Sequence, residues 1–386
     1  MITHFDELVE RRSSGSAKWN YYPEDVLPMW VADMDFRTAP PIGRALRARA
    51  EHDVFGYAAP PPALAEALCA RLERRFGWVV TPEQIVYYPG VVVGMNIAAR
   101  AFSPGGSGML IQPPVYPPIL TAPDPCACTA DLAQLVATTD GNTLRYEIDF
   151  DALEAAIGPQ TTVMLLCNPH NPTGRAWSPA ELARIGEICE RHNLTIISDE
   201  IWSDLTLRGA RHTPIASLSP ELAARTVTLM APSKTFNLPG LGFSFGVIAD
   251  ETMRERVKKA GAALSNVMGA TAALAAYTEG DAWLEDLCAY LTANRDTLVD
   301  YLAENMPQLR TTVPEATYLA WIDCREAGIE GSPYTFFLEQ AKVGLNDGAA
   351  FGPGGEGFVR MNMACPRDTL LEGLERMRRA LATNRA

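Results

Sequence analysis

The sequence predicts an α/β fold, with a large domain whose mostly parallel sheet is sandwiched by helices and a smaller α/β domain after it. Three observations predict this. Continuous apolar runs such as "TTVMLLC" and "TVTLM" read as strands buried on both faces. Amphipathic helical patterns separate them, and that alternation produces parallel strands joined by crossovers. At 386 residues the chain also exceeds the usual span of one domain.

The elements follow in order. Residues 1–45 are irregular and rich in aromatics, and are expected to join the small domain and the substrate site. Pro40 and Pro41 open the helical run "IGRALRARAEH". "GVVVGMNIAARAF" is a helix entered through Gly90, "GMLIQPP" a short strand and "TTVMLLCNP" a continuous apolar strand. In "SPAELARIGEICERHN", Ser178 is the N-cap and Pro179 sits in the first turn. Strands "LTIISDE", "TVTLMAPS" and "FSFGVIAD" come next and complete a large domain over 46–280. The helical pattern "DAWLEDLCAYLTANRDTLVDYLAENMP", then "TYLAWID", "GFVRMNMA" and a last helix form the small domain, 281–386.

Composition narrows the function classes. Hydrophobic content of 47% and charged content of 20% are those of an ordinary globular enzyme. A net charge of −13 argues against nucleic acid or an anionic membrane as partner, since each requires a basic face. The start "MITHFDELVERR" holds acidic residues and no apolar core, so neither signal nor transit peptide is expected. No apolar run approaches the roughly 18 residues of a membrane span, so the expected location is the cytoplasm. Eight cysteines without CxxC spacing or a nearby histidine cluster read as reduced thiols, with no metal site.

In an open parallel sheet, ligands bind beyond the carboxyl ends of the strands. Three such ends carry polar groups that a plain turn does not need: Asn171, Asp199 and Lys234. Pyridoxal 5'-phosphate uses all three at once. Its aldehyde needs a lysine amine, and its pyridine nitrogen needs a carboxylate that keeps it protonated. The asparagine amide can donate to the ring 3-oxygen. The phosphate is expected where "YYPGVVVGM" turns into a helix, at Gly90 and the N–H groups of Val91 and Val92, with a hydroxyl from Ser233. Tyr116, just past another strand, would stack on the pyridine.

The "NPHNPTG" loop, the "SDE" strand end and the "SK" lysine stand in the order found in the fold-type I pyridoxal-phosphate enzymes of aminotransferase class I/II, a family this chain resembles. "KWNYY", "LPMWVADMDF", "FGY", "APSKTFNLPGLG", "ATYLAWID" and "FVRMNMACP" make it most similar to the MalY/PatB branch of cystathionine and cysteine-S-conjugate β-lyases, over nearly the whole chain. The resemblance implies a small amino-acid substrate and a homodimer with shared active sites. It also implies a catalytic set of Lys234, Asp199 and Tyr116. Arg360 would clamp the substrate carboxylate with Asn171 beside it, and Tyr57 would reach the neighbouring subunit's site and its cofactor phosphate. The chain departs from class I aminotransferases at three places. Gly242 stands where a phosphate-binding arginine is usual, Ala231 replaces a serine, and Trp202 replaces a tyrosine at the ring oxygen. An indole N–H donates one hydrogen bond and cannot accept.

The implied reaction is β-elimination from an S-substituted L-cysteine to a thiol, pyruvate and ammonia, with Lys234 removing the Cα proton. Its first half is shared with transamination, so an aminotransferase is the alternative. A tailoring lyase acting on a cysteine adduct, and a regulatory protein that keeps the cofactor as a structural element, are further readings.

Overall fold

The computed structural model describes residues 4–261 and 266–384. In chain order its principal strands begin with β1 (Ile85–Tyr88), β2 (Gly108–Ile111) and β3 (Thr129–Leu132), followed by the hairpin β4 (Val136–Asp140) and β5 (Thr143–Glu147). Then come β6 (Thr161–Cys167), β7 (Thr195–Asp199), β8 (Thr226–Met230) and β9 (Ser244–Val247). The last are β10 (Arg310–Thr312), β11 (Leu319–Asp323), β12 (Asn346–Asp347) and β13 (Phe358–Asn362). The helices that matter most here are α1 (Val91–Phe102), α2 (Pro179–Arg191), α3 (Asp281–Asn305) and α4 (Arg367–Asn384).

Seven strands form the large sheet in the order β1-β9-β8-β7-β6-β2-β3. The strands from β8 to β3 run parallel, as the buried apolar runs predict. β9 does not: it is antiparallel to both β8 and β1. A parallel strand needs a crossover of a dozen or more residues, usually a helix that covers the sheet. The β8–β9 connection is instead taken up by the short helix Pro232–Thr235 and a 3-10 turn at Pro239–Leu241.

Alternation along β6 and β7 sorts side chains to the two faces. Val163, Leu165 and Ile197 cluster with Val91, Met95 and Ile97 of α1. Met164, Leu166 and Ile196 cluster with Leu182, Ile185 and Ile188 of α2. α2 starts where its sequence says it should: Ser178 accepts from the Glu181 N–H while Glu181 accepts from the Ser178 N–H.

A second, six-stranded sheet runs β12-β13-β11-β10-β5-β4. The β4–β5 hairpin lies within the 46–280 segment of the chain, yet it pairs β5 in parallel with β10. The N-terminal segment joins the same region, Leu27–Pro28 pairing with Val343–Gly344. Residues 31–36 then cross between the two sheets as a strap. The Asn362 amide donates to Val31 O at 2.8 Å and Asp33 O at 2.6 Å. Asn237 donates to Met34 O and Phe36 O and accepts from the Met34 N–H. Among the described residues no helix is long and apolar enough to cross a membrane, and all eight cysteines are free thiols.

Gly174 closes the turn after β6 with φ +74. A Cβ there would lie 2.7 Å from Pro314 Cβ and 2.9 Å from Pro314 Cα. The left-handed backbone and the overpacked contact together predict that Gly174→Ala lowers stability by about 2–4 kcal/mol. The measurement is the denaturant midpoint of the purified variant; a loss below about 0.5 kcal/mol would show that Pro314 yields freely.

Candidate active site

The register of the parallel strands builds the site. Cys167 pairs with Asp199, and Asp199 with Leu229, so β6, β7 and β8 all end at one sheet edge. The turn carrying Asn171 follows β6, Asp199 ends β7, and the short helix carrying Ser233 and Lys234 follows β8. Against this edge lies a cavity of about 410 Å³, within the size range of small-molecule sites.

Lys234, Asp199, Asn171, Tyr116, Ser233 and Trp202 all line this cavity. So do Gly90, Val91 and Val92 at the start of α1, and Arg360 on β13. Tyr57 does not. It is 99% exposed and belongs to a separate surface depression with Phe55 and Met268.

Lys234 donates from Nζ to the carbonyl of Ala32 at 2.7 Å, and Nζ lies 5.6 Å from the Trp202 ring centroid. Burial, reinforced by the positive charge of Arg360, pushes the amine down to about 8; Asp33 and Asp199 pull the other way. Asp199 is raised to about 6, chiefly by burial, although the Ile201 N–H donates to its Oδ1 at 3.1 Å and Lys234 opposes the rise. A cation placed beside Asp199 would favour its ionised form.

Arg360 is almost fully buried, and among the described residues it makes no ion pair. Nη1 donates to Asn171 Oδ1 at 3.0 Å, and Nη2 donates to Asn346 Oδ1 at 2.6 Å and to Trp30 O at 3.2 Å. Its guanidinium carbon stands 5.0 Å from the Phe351 ring centroid. Nε is buried without a partner. Every acceptor it meets is neutral, which leaves a buried positive charge facing the cavity without a counter-ion. Asn171 is held in turn, its main-chain carbonyl accepting from the Tyr116 main-chain N–H at 3.0 Å. Burial raises the Tyr116 phenol, and the charge of Asp199 adds to that.

At the other end of the cavity, Gly90 precedes the first turn of α1 in extended backbone, and a Cβ there would meet nothing within 4 Å. Glycine is therefore not needed for the turn; its effect is to keep that space clear. Gly242 lines the same end. Its φ is +57, and a Cβ would lie 3.3 Å from Pro89 O, so an arginine at this position would take a strained backbone.

Several wall residues carry no role legible in the sequence: Trp30, Ala32, Asn346, Phe351 and, behind Trp202, Tyr318. "LPMWVADMDF" and "ATYLAWID" stood out as motifs. The first contributes the backbone carbonyls of Trp30 and Ala32, and Asn346 reaches Arg360 only as a register-dependent cross-strand pair; no residue type announces either.

The aminotransferase class I and II family profile matches residues 24–377. Cystathionine beta-lyase PatB of Bacillus subtilis (strain 168) is 40% identical over 390 residues, covering 98% of this chain and 100% of that protein. A cystathionine beta-lyase of Corynebacterium glutamicum is 34% identical, covering 97% of this chain and 98% of that one. The crystal structure of the PLP-bound C-S lyase from Staphylococcus hominis matches with a TM-score of 0.93 at 32% identity, covering 98% of this chain and 99% of that one.

The depressed lysine has a thermodynamic consequence. Between pH of about 8 and the ordinary lysine value, the unfolded chain holds a proton that folded Lys234 has lost. Stability of the cofactor-free protein therefore gains a contribution as pH rises through that window. Lys234→Met is expected to abolish that gain in denaturant midpoints measured from pH 7 to 10.5. Parallel curves for the two proteins would refute the burial argument.

Proposed function

We propose, starting from the fact that the chain belongs to the aminotransferase class I and II family, that this cavity splits the Cβ–S bond of an S-substituted L-cysteine. The protein is a pyridoxal-phosphate-dependent carbon–sulfur β-lyase. The observation that supports this reading best is a buried Arg360 that has no acidic partner among the described residues and shares one cavity with a depressed lysine and a buried carboxylate.

The donor set fits pyridoxal phosphate. Lys234 would hold its aldehyde carbon, Asp199 its ring nitrogen and Asn171 its ring oxygen. Tyr116 would cover a face of the ring. Ser233 and the N–H groups of Val91 and Val92 would hold the phosphate, since the start of α1 presents unpaired donors. When bound, the group supplies an electron-accepting ring that stabilises negative charge at the substrate Cα.

The chain's own residues do the rest. Arg360 binds the substrate carboxylate through its planar fork, which cancels the charge it buries. Asn171, fixed between Tyr116 and Arg360, aligns that clamp with the ring site. Lys234 takes the Cα proton, a task that needs a neutral amine, and burial together with Arg360 brings the pH at which half the amine is neutral down to about 8. Asp199 keeps a negative charge where the ring nitrogen would carry a proton. Trp202 closes the wall beside Lys234 and presents an indole N–H as donor. Loss of thiolate from Cβ then leaves an enamine that hydrolyses to pyruvate and ammonia.

A homodimer with shared sites extends this reading. Val54, Phe55 and Tyr57 form an exposed apolar stretch, of the kind that marks an interface, and Tyr57 would serve the neighbouring subunit's phosphate and substrate. The junction of segments 46–280 and 281–386, with 1–45 strapped across it, would hold the site. Eight free thiols accord with a cytoplasmic enzyme.

With L-cystathionine the purified protein is expected to release pyruvate and thiol in equal amounts without accumulating pyridoxamine phosphate. Lys234→Ala should lower kcat by roughly 10²–10⁴-fold or more. Arg360→Lys should raise KM more than it lowers kcat. Turnover that requires a keto acid and yields no pyruvate would assign the protein to the aminotransferases instead. For the dimer, mixing inactive Lys234→Ala subunits with Tyr57→Ala subunits should restore activity. No recovery from mixed dimers that have demonstrably exchanged subunits would exclude shared sites.

A further inference from the structure

One carbonyl oxygen in the strap receives two side-chain donors. Lys234 Nζ lies 2.7 Å from Ala32 O, and Tyr318 Oη lies 3.0 Å from the same atom. We propose that the Ala32 carbonyl is the seat of the Lys234 amine whenever that amine is free, and that Tyr318 is the positioning residue that tunes the seat by sharing its oxygen.

The geometry constrains each partner. Tyr318 is fully buried, and Ala32 O is its hydroxyl's hydrogen-bond partner. A carbonyl cannot donate, so the phenol proton must point at that oxygen. A carbonyl oxygen offers two lone pairs, and here both are engaged. The carbonyl cannot swing away, because the Asn362 amide holds the carbonyls on either side, Val31 and Asp33. The Tyr318 ring also meets the Trp202 ring at 4.8 Å and 77°, and Trp202 flanks Nζ. The amine is therefore confined between an indole and a fixed acceptor.

The seat controls proton traffic. A neutral amine keeps one N–H on Ala32 O and leaves its lone pair for the substrate proton. Once Nζ has taken that proton, the same oxygen stabilises the ammonium until the proton is passed on. Sharing the oxygen with Tyr318 weakens this stabilisation and so favours the neutral amine. The charged groups acting on Nζ are Arg360, which opposes protonation, and Asp33 and Asp199, which favour it. The tests below alter none of these. The catalytic consequence rests on the lyase reading, whereas the seat itself is a property of the chain.

The test is the titration of the Lys234 amine in the cofactor-free full-length protein. It is read as the pH dependence of acetylation by acetic anhydride at the Lys234 peptide, resolved by mass spectrometry. Tyr318→Phe keeps the ring against Trp202 and leaves no orphan acceptor, since Lys234 still donates to Ala32 O. Freed from competition, the carbonyl should hold the ammonium more tightly and raise the midpoint by roughly half to one pH unit, the scale of one net hydrogen bond. 3-Fluorotyrosine incorporated at 318 donates more strongly and should move the midpoint down. The acid limb of the lyase pH profile should follow in both proteins, with KM for the substrate carboxylate unchanged. Shifts of opposite sign establish the shared seat even if the protein proves to be an aminotransferase. No shift in either protein, or shifts of the same sign, would overturn it.

Discussion

A lysine amine and a guanidinium buried in one cavity cannot both stand without acceptors, and the architecture around this site is arranged by that requirement. Lys234 finds the Ala32 carbonyl, while Arg360 finds Asn171, Asn346 and the Trp30 carbonyl. Two of these acceptors are main-chain atoms of the N-terminal segment. That segment must therefore be held as rigidly as the strands, although it contributes only a two-residue pairing to a sheet.

What holds it is a second layer of buried charge. Lys18, only 1% exposed, donates to Asp35 at 2.7 Å. Arg11 bridges Asp35 and Asp33, each at 2.8 Å, and the Trp19 indole donates to Asp35 as well. Removing Asp35 would leave Lys18 as an uncompensated buried charge, a loss of about 3–5 kcal/mol. The network makes the strap a fixed part of the cavity wall, so the positions of two carbonyl oxygens are set by ion pairs one layer away from the chemistry.

The cavity in this way draws on both sheets. The large sheet supplies Asp199, and the turns at its edge supply Asn171 and Lys234; the small sheet supplies Arg360 and its neighbour Asn346. Continuous apolar runs made the parallel core legible in the sequence, because burial on both faces leaves a composition that few other elements share. The antiparallel direction of β9 was not legible. Its apolar pattern is the same either way, and only what the preceding connection is used for decides it.

By itself the sequence determined which side chains stand at three strand ends, Asn171, Asp199 and Lys234, and offered the Gly90 helix start, Tyr116 and, through a family resemblance, Arg360 as their companions. Tertiary structure alone decided which acceptors those side chains meet. Ala32 contributes a carbonyl that any residue would carry, and Asn346 reaches Arg360 only through the register of β12 on β13. Tyr318 meets Lys234 only through a shared oxygen on a distant segment. A backbone atom has no residue code and register is a relation between strands, so neither could be read before the chain was folded.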